Sequence, residues 1–514
     1  MNEKKIKALA KLEKEIENDI NKMISWAKAC TVNELNFLVY LLRLVRVMRV
    51  NPEDFSTPNI SEEFIKLTGA VQEESLKYSI QLVMKYGNRP SFIREIGTPI
   101  LNNELAIALH KTASLVSSKM DHKSLIQLFD IDIESEDSRY FTIDPIIQQD
   151  NEEVKRLFDY YLRIDLDNSN HKENLRSLNE LLDNFKIEFS TVSTLFKREF
   201  GVSIDEFVRL YSYLGGRLRG KLKKFISFAP KLANGNINEQ DGLTINLYQH
   251  AVYFTQDEIY KKLGKKYQPL IERLTLNPTD IKDSELKYHM LTRKPFIQTV
   301  TGHLIVSPEL LLDGLFTNTH YSFLEGEFHD EYKEKMSKAF VNQIIKIAQK
   351  YGYRRINTEV ELYEGKKQLG DIDLVLEHKN GHMLLIEAKN HALPLDVYFK
   401  DIEATKMRLH NLKTRWEKKV QNRINHLERN HTNYDIKKPY KYLIVSSNPE
   451  LLSHYSEILC VTLNEFEFFL KSGNWDSNFN KIFEELYNPP IFTKEEMQHL
   501  KNDHLTIATQ LKRS

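Results

Sequence analysis

Residues 370–389 constrain this chain more tightly than any other stretch. They read Gly370-Asp371-Ile372-Asp373-Leu374-Val375-Leu376-Glu377-His378-Lys379-Asn380-Gly381-His382-Met383-Leu384-Leu385-Ile386-Glu387-Ala388-Lys389. Two β-rich runs flank an Asn-Gly pair, a strong short-range hairpin signal. Period-two alternation puts Ile372, Leu374 and Leu376 on one face of the first strand, and Asp371, Asp373 and Val375 on the other. Glu387 and Lys389 share a face of the second strand.

Register decides whether these polar groups meet. A two-residue Asn380-Gly381 loop would set Asp373 opposite Ala388 and turn Glu387 to the far face. A three-residue loop, Lys379-Asn380-Gly381, pairs His378 with His382 and puts the glycine where a left-handed residue is wanted. Asp373 then faces Glu387, and Asp371 faces Lys389. Turn preference and chemistry both choose the second register. Two facing carboxylates repel and require a counter-charge. A hard divalent cation such as Mg²⁺ meets that need through oxygen ligands, and Mn²⁺ substitutes. Such an ion can lower the pKa of a bound water and polarise a phosphodiester. Lys389 could orient the water or stabilise charge on the scissile phosphate.

Asp373, a 13-residue gap and then Glu387-Ala388-Lys389 resembles the D…(D/E)xK core of the PD-(D/E)XK nuclease superfamily. Gly370-Asp371-Ile372-Asp373 resembles the "GEID" form of resolvase-like and Mrr-like members, with Ile372 rather than proline before the aspartate. The resemblance covers roughly 325–470 and implies a restriction-endonuclease-like fold. It further implies metal ligation by Asp373 and Glu387, a catalytic Lys389, and an acid from the preceding helix. That helix offers Asp330, Glu331 and Glu334, of which Glu331 is the candidate. Thr358–Glu361 would begin the sheet.

The texture of the C-terminal region fits that order. A helix over 330–350 precedes short β-rich runs, a long charged helix over 396–430, and β-type runs at Tyr440–Ser446 and Ile458–Leu463. The α-β-β-β-α-β-β order predicts a three-layer α/β domain. The charged helix carries Arg408, Arg415, Lys418 and Gln421. In the family, the equivalent helix can contact backbone phosphates, so these four are the candidate nucleic-acid contacts. The alternative is a solvated amphipathic face.

The rest of the chain is helical in pattern. Lys4–Ala29 shows Ile6, Leu9, Leu12, Ile16, Ile20, Met23 and Ile24 at helical spacing. Phe37–Met48 is more apolar, but Arg43, Arg46 and Arg49 form a stripe that a membrane span would not carry. At ~150 residues per domain, 514 residues suggest about three domains. The expected division is a helical domain over 1–175, a mixed and mainly helical region over 176–324, the nuclease-like domain over 325–475, and a helical tail over 476–514. The fold class is α+β multidomain. Residues 130–175 are polar and irregular in texture, and mark the first boundary.

Basic and acidic residues balance at 72 each, so any nucleic-acid contact must be local rather than global. Two cysteines, Cys30 and Cys460, exclude a disulfide framework and a structural zinc site, and suggest a reducing cytoplasm. The first residues are charged and amphipathic, without the apolar core of a signal peptide.

Weaker motifs fall away on mechanism. Ser190–Tyr213 resembles a helix-turn-helix around Phe200-Gly201-Val202, or a simple helical hairpin. Gly215-Gly216-Arg217-Leu218-Arg219-Gly220-Lys221 spells seven positions of a phosphate-binding loop, but Leu222 cannot bind magnesium and the context is helical. Asp165–Asn170 begins like a calcium loop yet lacks the sixth-position glycine, and reads as a capping turn. Asp130-Ile131-Asp132 mimics the Asp371 run with no Glu-x-Lys strand after it.

The expected function is metal-dependent phosphodiester hydrolysis of nucleic acid by a cytoplasmic DNA endonuclease. Restriction, repair and phage defence are all open as roles. The alternatives are an RNA-directed nuclease, or a binding or scaffold protein on a degenerate nuclease fold. The helical N-terminal region would recognise substrate, regulate the nuclease, or bind a partner protein or a second copy.

Overall fold

A computed structural model of the chain describes residues 3–50, 52–54, 56, 62–88, 104–128, 152–173, 178–226, 253–281, 290–298, 303–305, 308–391, 393–398, 401–434, 436 and 439–487. They divide into two compact units. The first comprises Met1–Ala8, Ser124–Asn174 and Glu334–Ser514, the second Leu9–Lys123 and Leu175–Lys333.

The second unit is mainly helical. Helices Val32–Val50 and Glu62–Tyr86 lie against each other. The arginine stripe explains itself there: Arg46 and Arg49 both bind the buried carboxylate of Glu73, at 2.6 and 2.9 Å. Around Gly201, whose φ of 70° ends one helix, Phe185, Phe189, Phe196, Phe200 and Phe207 pack ring against ring. The expected two helices about Phe200–Val202 are present, as Ser193–Phe200 and Ile204–Ile226. The Gly215–Lys221 run lies inside the latter helix, so its backbone amides form no phosphate-cradling loop. A small four-stranded sheet, in the order Tyr253–Phe254, His303–Ile305, Phe296–Gln298, Thr275–Leu276, completes this unit.

The first unit carries the constrained hairpin. Its sheet has five strands in sequential order: β1 (Tyr353–Glu364), β2 (Lys367–His378), β3 (Met383–Lys389), β4 (Tyr440–Ser446) and β5 (Cys460–Thr462). β1, β2 and β3 pair antiparallel; β3, β4 and β5 pair parallel. A sheet with both faces covered requires apolar residues on both. Accordingly Leu374, Leu376, Leu384 and Ile386 join Phe340, Ile344 and Phe466 in one core layer. Val375, Leu385 and Ile444 join Tyr160, Leu412, Val420 and Leu427 in the other. Helices therefore cover both faces, and the α-β-β-β-α-β-β order is present.

Two features depart from expectation. Residues 165–173 are helical, as part of α1 (Glu152–Glu173), rather than irregular or a capping turn. The same helix presents the periodic face Leu157, Tyr160, Tyr161 and Ile164, which is buried in the core of the first unit. Thus the helix preceding the expected 175 boundary packs with the C-terminal sheet, and 175–333 intervenes as part of the other unit. Arg163 of α1 is wholly buried and grips Glu465 with two nitrogens, at 2.7 and 2.6 Å. The second departure concerns the long charged helix. It begins at Ile402, where Asp401 caps the Ala404 amide. It runs as α2 (Ile402–Leu412), a π turn over Lys413–Glu417, and α3 (Lys418–Glu428). The turn motif at 233–236, the Asp130–Asp132 run and the tail beyond Tyr487 lie outside the described residues.

Candidate active site

The β2–β3 hairpin turns through Lys379, Asn380 and Gly381. The His378 amide donates to the His382 carbonyl at 2.8 Å, and Gly381 takes φ 89°. Ladder pairs Glu377–Met383, Leu376–Leu384, Val375–Leu385 and Leu374–Ile386 follow. Continued by one step, this register would set Asp373 opposite Glu387. The three-residue loop is therefore the one the chain adopts.

The regular ladder stops at Leu374–Ile386, and the carboxylate itself continues it. The Ala388 amide donates to Asp373 Oδ2 at 2.6 Å. Alternation breaks at the same place: Ile372 joins the core layer of Val375, not that of Leu374 and Leu376 as expected. On β1, the residue between the partners of Leu374 and Ile372 is Glu359, held at φ 53°. A non-glycine residue rarely adopts that conformation, and it marks an irregular step in the pairing.

Charges close around Glu387. Lys389 Nζ lies 2.6 Å from Glu387 Oε1 and 3.8 Å from Asp373 Oδ2, spanning the two acids. Arg423 of α3 reaches in from the helix layer to bind Glu387 Oε2, and also donates to the Tyr442 hydroxyl and the Leu369 carbonyl. Its guanidinium lies against Gly370, at φ 105°, where a side-chain carbon would collide with it. Burial and the neighbouring Glu387 carboxylate push Asp373 up to about 6, against the pull of Lys389 and the Ala388 amide. A cleft of about 320 Å³ opens here, lined by Asp371, Glu387, Lys389, His391, Arg415, Trp416, Lys419 and Arg423.

Among the described residues no group of three or more His, Cys, Asp and Glu side chains is set to hold a metal ion. That excludes an all-protein cage here, not an ion held by one or two carboxylates with water completing its shell. Asp373 and Glu387 fit the second type, because a cation relieves the repulsion that raises Asp373. Lys389 must then yield Glu387 Oε1.

Asp373, Glu387 and Lys389 are thus brought together. Glu331 is not brought to them: it belongs to the second unit, is exposed, and pairs with Arg198 at 3.2 Å. Of the four candidate nucleic-acid contacts, only Arg415 lines the cleft. Arg408 is committed to the buried Glu450 at 2.6 Å, a structural ion pair. Lys418 and Gln421 are exposed on α3, with Gln421 donating to Asn425. Sequence reasoning gave no role to Tyr442, His391 and Trp416, and counted Lys419 and Arg423 only among the basic residues of the charged helix. A signal for Arg423 existed: with Val420 and Leu427 it falls at helical spacing on a buried face, where an arginine requires an acid.

No helix among the described residues is long and apolar enough to cross a membrane. Comparison with family models, with characterised proteins and with solved structures finds no match.

Proposed function

We propose that the first unit is a metal-dependent nuclease that hydrolyses phosphodiester bonds, with DNA as substrate. The observation that supports it most is the convergence of Asp373 and Glu387 on adjacent strands, with Lys389 spanning both. Mg²⁺ or Mn²⁺ would be held by these two carboxylates and would supply an activated water. Arg423 and Tyr442 fix one oxygen of Glu387, leaving the other for the ion. Lys389, displaced from Glu387 Oε1, would carry its positive charge toward the scissile phosphate and stabilise charge building there. Arg415 and Lys419 would hold flanking phosphates at the cleft wall.

A second reading has an observation of its own. Both Glu387 oxygens are already taken by cations, which is how a carboxylate looks when it serves structure alone. That reading makes the protein a nucleic-acid binder without chemistry. Incubation of the full chain with supercoiled plasmid, single-stranded DNA and RNA, in Mg²⁺ or in EDTA, separates the two. The nuclease reading expects cleavage only with the ion, and its loss in Lys389→Ala and Asp373→Ala. Cleavage that survives either substitution would refute the site, and no cleavage with Mg²⁺ or Mn²⁺ would favour the binder.

A further inference from the structure

The cleft beside the carboxylates has an aromatic wall that hydrolysis does not require. His391 lies two residues beyond Lys389, at the C-terminal end of β3. Its amide donates to the Ser447 hydroxyl at 3.1 Å, and its carbonyl accepts from Ser447 at 3.0 Å and from the Asn448 side chain at 2.5 Å. Three bonds to the segment after β4 thus fix the backbone, and the residue stays exposed. Its ring stacks on Trp416, with centroids 5.3 Å apart and planes 26° from parallel. Trp416 stands inside the π turn of Lys413–Glu417. A π turn inserts one residue into the helical register and re-aims the side chains after it, a device common at functional sites. Arg415 and Trp416 of this turn line one cleft with Lys419 and Arg423 of α3.

The charges are divided in a telling way. Lys389 and Arg423 are bound to Glu387. Arg415 and Lys419, exposed on the same wall, make no ion pair among the described residues. The cleft therefore offers a stacked aromatic pair, two cations not engaged with acids, and the carboxylate of Glu387, all lining about 320 Å³. Aromatic rings stack on bases of any identity, and cations beside them take the backbone; this pairing is how proteins hold unpaired strands. A base within a duplex is stacked on its neighbours and cannot enter such a cleft without leaving the helix. The site also lies at the C-terminal ends of parallel strands, where open α/β sheets take their ligands.

From these observations we infer that the cleft binds an unpaired nucleotide, its base on the His391–Trp416 wall and its flanking phosphates on Arg415 and Lys419. The inference deepens the nuclease reading by naming its substrate class as a single-stranded or locally unpaired strand. It rests on that reading only for the position of the reacting phosphate. Binding itself requires no metal, so it can be tested apart from cleavage.

The test measures fluorescence anisotropy of end-labelled 20-mers on the full-length protein in EDTA, at one fixed salt concentration. The probes are oligo(dT), oligo(U), and a DNA duplex of the same length. The inference expects a single strand to bind at least tenfold tighter than duplex. Trp416→Ala should weaken that binding about 5- to 100-fold, the range for loss of stacking on one base. Duplex binding should change less than twofold in that variant, and Trp416→Phe should restore most of the affinity. An unchanged melting temperature in Trp416→Phe guards against unfolding as the cause. Whichever of oligo(dT) and oligo(U) binds tighter identifies the strand. Equal affinity for single strand and duplex, or a Trp416→Ala variant that binds single strands as wild type does, overturns the inference. Failure of the nuclease reading has a different signature: no cleavage with any ion, with Trp416-dependent binding intact.

Discussion

Replacing Asp373 by asparagine removes one of two facing carboxylates while keeping an oxygen to accept from the Ala388 amide. Asp373 titrates near 6 in the folded chain against 3.8 for the free side chain, chiefly because it is buried and then because Glu387 is close. A raised carboxylate pKa means that ionisation opposes folding. The cost is present in full above pH 6, and it fades as pH falls from 6 toward 4, where the folded state takes up its proton first. A rise of this size corresponds to about 3 kcal/mol at full ionisation. The side chain keeps 23% of its surface in water, which screens the charge and brings the figure to about 1–2 kcal/mol. For a unit of this size that is a rise of about 2–8 °C in melting temperature. Scanning calorimetry of wild type and Asp373→Asn in EDTA would read it. The variant should be the more stable at pH 7.5, with the gap roughly halved near pH 5 and nearly closed at pH 4. A variant less stable than wild type at pH 7.5, or a gap that widens on acidification, would refute the reasoning.

Arg423→Ala takes the buried guanidinium from Glu387 Oε2, which keeps only the Tyr442 hydroxyl, and from the Leu369 carbonyl. With Lys389 still on the other oxygen, urea unfolding should show a loss of about 2–4 kcal/mol. Arg163→Met strands the buried Glu465 and should cost about 3–5 kcal/mol. Replacing both Arg163 and Glu465 with methionine should cost less than Arg163→Met alone, which a double-mutant cycle by chemical denaturation would measure.

The sequence made local order legible and distant order obscure. The hairpin register followed from one turn and a period of two, and the loop of Lys379–Gly381 is the one found. The strand at Tyr440–Ser446 and the helix over 330–350 followed from runs of a single period. Glu331 was sought as an acid in the right preceding helix, yet the fold gives that residue to Arg198 in the other unit. Arg423 stands 36 residues from Glu387 in sequence, and no spacing rule connects a helix face to a strand so far away. The break in alternation at Asp373 lies beside an irregular β1 residue, Glu359, whose side chain gives no hint of a positive φ. The helicity of 165–173 was hidden by Asp, Asn and Ser, which favour caps and turns when nothing else decides. The helix they extend is anchored earlier, by the buried Tyr160, Tyr161 and Ile164.

Because α1 belongs to the first unit while 175–333 belongs to the second, the first unit is completed out of sequence order. On the ribosome, Arg163 emerges some 300 residues before Glu465 and must wait for it in water. The second unit has all its residues by Lys333, whereas the last strand and the carboxylate that neutralises Arg163 come only after it. Nascent or truncated chains would therefore lack the anchored α1 and the finished sheet beneath Glu387. A fragment that starts at residue 325 would lack Tyr160 and Arg163 and expose their cradle to solvent, so the C-terminal sheet cannot be excised with its whole core as a contiguous piece.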